Sequence, residues 1–78
     1  MRAYILINTK PGTSEEVVKE IRTSKEAGKI KMADSVYGQY DAVVVLEVED
    51  LKEIMETVYK VIEKNPNIIK TETLISLF

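Results

Sequence analysis

The segment Tyr37-Gly38-Gln39-Tyr40-Asp41 combines the groups best suited to binding a small charged ligand. Successive backbone amides around a glycine turn can donate to a carboxylate, and an ionised Asp41 can accept from an ammonium group. A free amino acid carries both of those groups. The same residues also suit an ordinary turn between strands, in which Gly38 supplies a positive φ and Asp41 accepts from nearby amides, and the segment alone favours that structural role.

Two threonines in the last segment of the chain form a second candidate for ligand binding. Alternation along a strand places Thr71 and Thr73 on one face, where their hydroxyls would form a small polar shelf. Neighbouring apolar residues could then meet the side chain of the ligand. Threonine is also simply a favourable strand residue, so the pair taken alone favours a structural role.

The composition excludes several kinds of catalytic and metal chemistry. The chain has 78 residues with no Cys and no His, which removes thiolate metal sites, disulfides and the commonest general base. Its serines therefore have no histidine to activate them. We expect no metal, no cofactor and no enzymatic activity, although Tyr37, Tyr40 and Asp41 retain the ability to transfer protons.

The charge and the N-terminus bear on partners and location. A net charge of −2, from 13 acidic and 11 basic side chains, gives no field that attracts DNA or RNA. No apolar run approaches the roughly 20 residues that a membrane helix needs. The apolar start at residues 1–7 is too short for a secretory signal. We therefore expect a cytoplasmic protein with no direct nucleic acid partner and no membrane contact.

Apolar periodicity and turn signals predict the element order β-α-β-β-α-β for these candidate segments. Strands are predicted over residues 4–8, 30–37, 42–48 and 68–78, and helices over residues 13–22 and 50–64. Thr13 with Glu16 and Asp50 with Glu53 have capping-box spacing. This order predicts a single α+β domain over residues 1–78 with a ferredoxin-like fold, in which an antiparallel four-stranded sheet carries both helices on one face.

Three further expectations concern sheet faces and a turn. Ile30 and Met32 share one parity of the second strand and are expected on the same face. Asn67 is expected to serve the turn after Pro66, where asparagine tolerates a left-handed conformation. The sheet face without helices should include Tyr4, Leu6, Val43, Val45, Leu74 and Ser76. This set is too apolar to leave in water, which predicts a homodimer through the sheets.

With the turn between its second and third strands, the whole chain resembles the effector-binding (RAM) domain of the leucine-responsive/asparagine-responsive regulators, the Lrp/AsnC or feast/famine family. Three segments carry the resemblance, and the threonine-rich last strand supports it independently of the glycine-any-tyrosine-aspartate motif. They are Val36-Tyr37-Gly38-Gln39-Tyr40-Asp41 before an apolar strand, Asn65-Pro66-Asn67-Ile68, and Thr71-Glu72-Thr73-Leu74-Ile75.

The resemblance implies a βαββαβ fold, dimers that pair their sheets, and rings of dimers that bind amino acids where two dimers meet. It implies ligand contacts from the turn and from the last strand of an adjacent subunit. The matching positions are Tyr37, Gly38, Gln39, Tyr40 and Asp41 on one side, with Thr71, Thr73 and Ile75 on the other.

The full-length regulators of this family begin with a helix-turn-helix domain, whereas this sequence begins at the first strand of the effector domain. The resemblance therefore implies a stand-alone module that does not bind DNA itself. It would modulate transcription by assembling with a full-length Lrp/AsnC-type regulator, or act as an amino-acid sensor or reservoir for another partner.

A second class of function stays open from the sequence: a cofactor-free enzyme of the dimeric α+β barrel type, such as a small monooxygenase or isomerase. Such enzymes share the element order and hold their cavity between the helices and the sheet. The absence of His and Trp counts against a reactive pocket here. A closed apolar cavity around an ionisable group would favour this alternative.

Overall fold

The computed structural model describes every residue of the chain, Met1–Phe78, and confirms the α+β ferredoxin-like fold. The strands are β1 (Arg2–Thr9), β2 (Ile30–Ser35), β3 (Ala42–Glu47) and β4 (Ile68–Ile75), and the helices are α1 (Ser14–Arg22) and α2 (Leu51–Thr57). A 3₁₀ turn at Ala27–Lys29 precedes β2, and α2 continues as a π-helix over Val58–Glu63. The sheet order is β2-β3-β1-β4, with every neighbouring pair antiparallel.

Strand β1 divides the molecule into a buried side and an open side, because its residues alternate strictly between the two faces. Ala3, Ile5 and Ile7 are fully buried under the helices. The helices complete this core: α1 contributes Val17, Val18 and Ile21, and α2 with its π-helical continuation contributes Ile54, Val58 and Ile62. Full burial of each isoleucine side chain stabilises the fold by about 1.5–3 kcal/mol, so this single layer of contacts holds both helices on one face.

The opposite sheet face, called here the open face, has the composition expected from the sequence. Tyr4 pairs with Val45 on β3 and with Leu74 on β4, while Leu6 pairs with Val43. Since directly opposed residues of an antiparallel pair share a face, these five side chains all lie on the side away from the helices. No helix covers this face, so Tyr4, Leu6, Val43 and Leu74 remain partly or largely exposed, whereas Val45 is buried among its neighbours.

Strand β2 departs from the predicted alternation. The register shifts between Ile30 and Met32, so that Ile30 lies opposite Leu46 while Met32 lies opposite Val45. The expectation that Ile30 and Met32 share a face is therefore wrong: Ile30 packs against the core and Met32 lies on the open face. The additional residue is Lys31, and such an irregularity reverses the parity of everything before it.

Two residues near the ends of helices behave differently from the prediction. The Thr13 hydroxyl makes no capping bond to α1 and instead donates to the carbonyl of Lys10 at 2.7 Å, closing the turn that precedes the helix. Asn67 is not left-handed, because only Gly12 and Gly38 have positive φ. The side chain of Asn65 supports this turn by accepting from the Asn67 amide at 2.9 Å.

The second helix begins as predicted and then widens. The Asp50 carboxylate accepts from the Glu53 amide at 2.9 Å, and the Glu53 carboxylate accepts from the Glu49 amide at 2.8 Å. After Thr57 the backbone becomes a π-helix, which apolar spacing alone did not predict. Neither helix has the length and apolar character that a membrane crossing requires.

Candidate functional site

The turn between β2 and β3 is fixed to the end of β1 by backbone bonds. The Val36 amide donates to the carbonyl of Asp41 at 2.9 Å, and the Asp41 amide donates to the carbonyl of Ile7 at 2.8 Å. The Asn8 side chain also donates to the carbonyl of Gln39 at 3.0 Å. The turn is therefore held at its base while its tip extends into solvent.

One oxygen of the Asp41 carboxylate has a structural role. Oδ2 accepts from the backbone amide of Thr9 at 2.8 Å, and this amide belongs to a buried residue. The other oxygen, Oδ1, has no hydrogen-bond donor or ion-pair partner within the chain. Asp41 thus holds the turn to β1 and still presents one charged oxygen to a ligand.

The tip of the turn presents four successive free amides, those of Tyr37, Gly38, Gln39 and Tyr40, none of which donates to any group of the chain. Gly38 has φ +153°, a conformation that side-chain-bearing residues rarely adopt, which explains the glycine at this position. The Tyr37 side chain is fully exposed. A run of unbonded amides beside a carboxylate is suited to a ligand that carries both an anionic and a cationic group.

Tyr40 connects the turn to strand β4. Its hydroxyl donates to Oε1 of Glu72 at 2.6 Å. This hydrogen bond, followed by burial and the charge of the carboxylate, raises the pKa of Tyr40 above its ordinary value of 10.0. Because Glu72 lies opposite Leu6, which faces away from the helices, the Tyr40 side chain lies along the open face.

The three predicted site residues of β4 lie on the other side of the sheet. Thr71, Thr73 and Ile75 are opposite Ile7, Ile5 and Ala3, the buried residues of β1. Thr71 and Thr73 therefore share a face as expected, but the structure does not bring them to the turn within one chain. It brings Tyr40 to Glu72 instead.

Thr73 and Ile75 line an apolar cleft of about 350 Å³ between β4 and the α2 region. The other lining residues are Leu51, Ile54, Met55, Val58, Tyr59 and Glu63. The cleft is open to solvent along β4, and Met55 and Tyr59 at its rim are more than half exposed. It lies where the alternative enzyme would hold its cavity, but it is not the closed pocket which that alternative requires.

Sequence reasoning missed the residues that hold the turn in place. Asn8 and Thr9 are the polar end of an otherwise apolar strand, and that change in character was a usable signal for a contact with a loop. The bond from Tyr40 to Glu72 spans 32 positions in the sequence and depends on sheet register. No local pattern reports such a contact.

The sequence and structure resemble one family in particular. The model of the Lrp/AsnC ligand binding domain matches residues 2–77. The solved structure of FFRP-DM1 is 33% identical, covers 97% of both chains and superposes with a TM-score of 0.84. Comparison with curated proteins gives no match.

More distant structures share the fold. AsnC from E. coli superposes with a TM-score of 0.85 at 18% identity, over 99% of this chain and 50% of that chain. The Neisseria meningitidis transcriptional regulator NMB0573, in complex with L-Met, has a TM-score of 0.80 at 11% identity, over 99% and 49%. A dehydrochlorinase from Burkholderia phenoliruptrix has a TM-score of 0.66 at 14% identity, over 97% and 93%.

Proposed function

Because the chain belongs to the Lrp/AsnC ligand-binding domain family, we propose that it binds a free amino acid and transmits that binding through its own assembly. The family establishes a regulatory ligand-binding module. The ligand, the residues that hold it and the assembled form are the subjects of this proposal.

The four free amides beside the free oxygen of Asp41 carry the proposal. The amides of Tyr37 to Tyr40 would donate to the ligand carboxylate, and Oδ1 of Asp41 would accept from its ammonium group. Charge-assisted hydrogen bonds of this kind are roughly twice as strong as neutral ones. The L-Met bound by NMB0573 supports an amino acid as the ligand class.

A second copy of the chain would complete the site. Thr71, Thr73 and Ile75 lie on the opposite face of the sheet from Tyr40, so they would reach a ligand held by the turn of another subunit. Their two hydroxyls would contact polar atoms of the ligand, and Ile75 would contact its side chain. A ligand that contacts two subunits stabilises the assembly that contains them. The size of the effect depends on how much more tightly the ligand binds to that assembly than to a single subunit.

The open face is the natural surface for the first step of that assembly. Tyr4, Leu6, Val43 and Leu74 form an apolar surface that a homodimer would bury by pairing two sheets. Rings of such dimers would then bring turns and β4 strands of different copies together. A full-length Lrp/AsnC-type regulator carries a domain of the same fold and would be a further partner.

Calorimetric titration with each common amino acid tests the proposal directly. We expect at least one to bind at micromolar to millimolar concentration and to increase the assembled fraction in light scattering. Asp41→Asn keeps an oxygen for the Thr9 amide but removes the charge, so it should weaken binding by about tenfold or more. Asp34→Asn is the matched control, because this carboxylate lies on β2, where it already pairs with Arg22 of α1. Failure of every amino acid to bind at millimolar concentration would contradict the proposal.

A further inference from the structure

The two free edges of the sheet differ in their readiness to pair with another strand. Edge strand β2 has six residues and contains the irregularity at Lys31. Arg22 covers it further, because its Nε donates to the carbonyl of Ala33 at 2.8 Å and its Nη2 pairs with Asp34 at 3.1 Å. Irregularity and a charged cover are the usual means by which a protein blocks an edge.

Edge strand β4 is less protected, because its irregularity, at the register shift opposite Asn8 and Thr9, lies near the start of the strand. It has eight residues without proline, and its register with β1 is unbroken from Ile75 to Lys70. The Ser76 amide donates to the carbonyl of Arg2 at 2.9 Å. Since bonded and non-bonded pairs alternate in an antiparallel ladder, the amides and carbonyls of residues 71, 73 and 75 point away from β1, toward solvent.

Charge selects one register for pairing β4 with a second copy of itself. Lys70 and Glu72 lie on the open face, opposite Asn8 and Leu6, and neither forms an ion pair within the chain. A two-fold axis at Thr71 sets each Lys70 opposite Glu72 of the partner subunit. An axis at Lys70 would set two lysines opposite each other, and an axis at Glu72 would set two glutamates opposite each other. An axis at Thr73 would set Glu72 opposite the uncharged Leu74 of the partner subunit.

We propose that the edge of β4 is an interface that pairs antiparallel with β4 of a second copy, around a two-fold axis at Thr71. Thr71 would exchange both backbone bonds with Thr71 of the partner subunit, because its amide and carbonyl point outward. Lys70 would then lie in a close, non-bonded pair with Glu72 of the partner subunit. Oε1 of Glu72 already accepts from Tyr40, which leaves Oε2 for that lysine.

Pairing in this register would extend the sheet to eight strands. This contact is independent of whether an amino acid binds.

Disulfide trapping tests the interface and its register, and the chain is suited to it because it has no cysteine. Residues at position 71 would have Cα atoms about 5.5 Å apart across the axis, within the range for a disulfide. Residues at position 73 would be separated by roughly four residues of strand, about 13 Å, which is too far. We expect Thr71→Cys to form a covalent dimer under mild oxidation and Thr73→Cys to remain largely uncrosslinked.

The other outcomes of the trapping experiment overturn the proposal. Cross-linking of neither variant would mean that the edges do not meet. Faster cross-linking of Thr73→Cys would place the axis elsewhere, and equal rates would indicate random collision.

Charge reversal provides a second test in solution. Lys70→Glu would oppose two like-charged pairs and should weaken self-association by about tenfold at low salt, measured by sedimentation equilibrium. Lys70→Glu with Glu72→Lys restores opposite charges and should recover the association. Tyr40→Phe is the control for the loss of the Tyr40 bond in the double variant. An unaffected single variant, or a double variant as weak as the single one, would overturn the proposed register.

Discussion

The hydroxyl of Tyr40 donates a 2.6 Å hydrogen bond to Oε1 of Glu72, and so ties the turn between β2 and β3 to the edge strand β4. The two residues lie 32 positions apart in the chain. Strand β1 lies between them in the sheet, so the tyrosine side chain must extend across the open face to make this bond.

The first prediction concerns the titration of Tyr40. Because Glu72 raises the pKa of Tyr40, replacing Glu72 by Ala, which removes the acceptor and the charge, should lower that pKa toward 10.0, as followed by tyrosinate absorbance at alkaline pH. The bond should stabilise the folded chain below about pH 10 and lose this effect as pH rises through the folded-state pKa. Tyr40→Phe identifies the signal of this tyrosine among the four. An unchanged titration in Glu72→Ala would show that the bond does not form in solution.

Asp41 is predicted to contribute to stability through the Thr9 amide. Asp41→Ala leaves that partly buried donor without a partner and should lower the free energy of unfolding by about 1–3 kcal/mol. Asp41→Asn keeps an acceptor and should cost clearly less. Urea denaturation of both variants checks the order, and equal costs would mean that charge, not the hydrogen bond, is what matters.

Gly38 should be intolerant of a side chain for conformational reasons alone. Its φ is +153° and no atom lies within 4 Å of the position that a Cβ would occupy, so Gly38→Ala should cost about 1–3 kcal/mol through backbone strain. Gly28 has equally open surroundings without the positive φ, and Gly28→Ala should be neutral or stabilising by up to about 1 kcal/mol. Thermal unfolding of the pair measures the difference, and similar melting temperatures would refute the strain argument.

Thr57 offers a stabilising substitution. Its side chain is buried in α2 and its hydroxyl has no hydrogen-bond partner. Thr57→Val keeps the shape and removes the unpaired polar group, so it should raise the free energy of unfolding by about 1 kcal/mol or more. Thr57→Ser, which keeps the hydroxyl and loses a methyl group, should instead destabilise the chain. A lower urea midpoint for Thr57→Val would indicate that the hydroxyl finds a partner in solution.

Pairing of two sheets is predicted to depend on the apolar character of the open face. Val43 lies opposite Leu6 on that face, where a lysine could extend into solvent in a single copy. Val43→Lys should therefore leave the fold intact by circular dichroism but shift the mass in light scattering to the monomer or to a β4-paired form. Lys52→Ala, on the outer surface of α2, is the control. An unchanged mass for Val43→Lys would exclude the open face as an interface.

Much of the fold could be predicted because β1 and β3 follow simple rules. Strict alternation in β1 places Tyr4 and Leu6 on one face and Ile5 on the other, and the dense run of β-branched residues marks β3 as central. These signals depend on local spacing, which the sequence contains directly. The main residues of the open face on β1 and β3 could therefore be predicted from the sequence.

The unpredicted parts depend on contacts that local spacing does not encode. The register shift at Lys31 follows from how β2 pairs with β3, and it moved Met32 to the open face. The π-helix after Thr57 leaves no signal in the sequence pattern, since apolar spacing from Leu51 to Ile62 fits an ordinary helix. At the candidate site, the turn was predictable, whereas the bonds from Asp41 to Thr9 and from Tyr40 to Glu72 required the fold.

The placement of Tyr40 and Thr73 on opposite sides of one sheet has a quantitative consequence for any ligand that both must touch. One molecule of the protein offers only half of such a site. Occupancy of the site would therefore rise with the concentration of the protein as well as with that of the ligand. Diluting the protein at fixed ligand would empty the site as effectively as removing the ligand. A sensor built in this way responds to a coincidence of two concentrations, with a threshold that the cell can set by how much of the chain it makes.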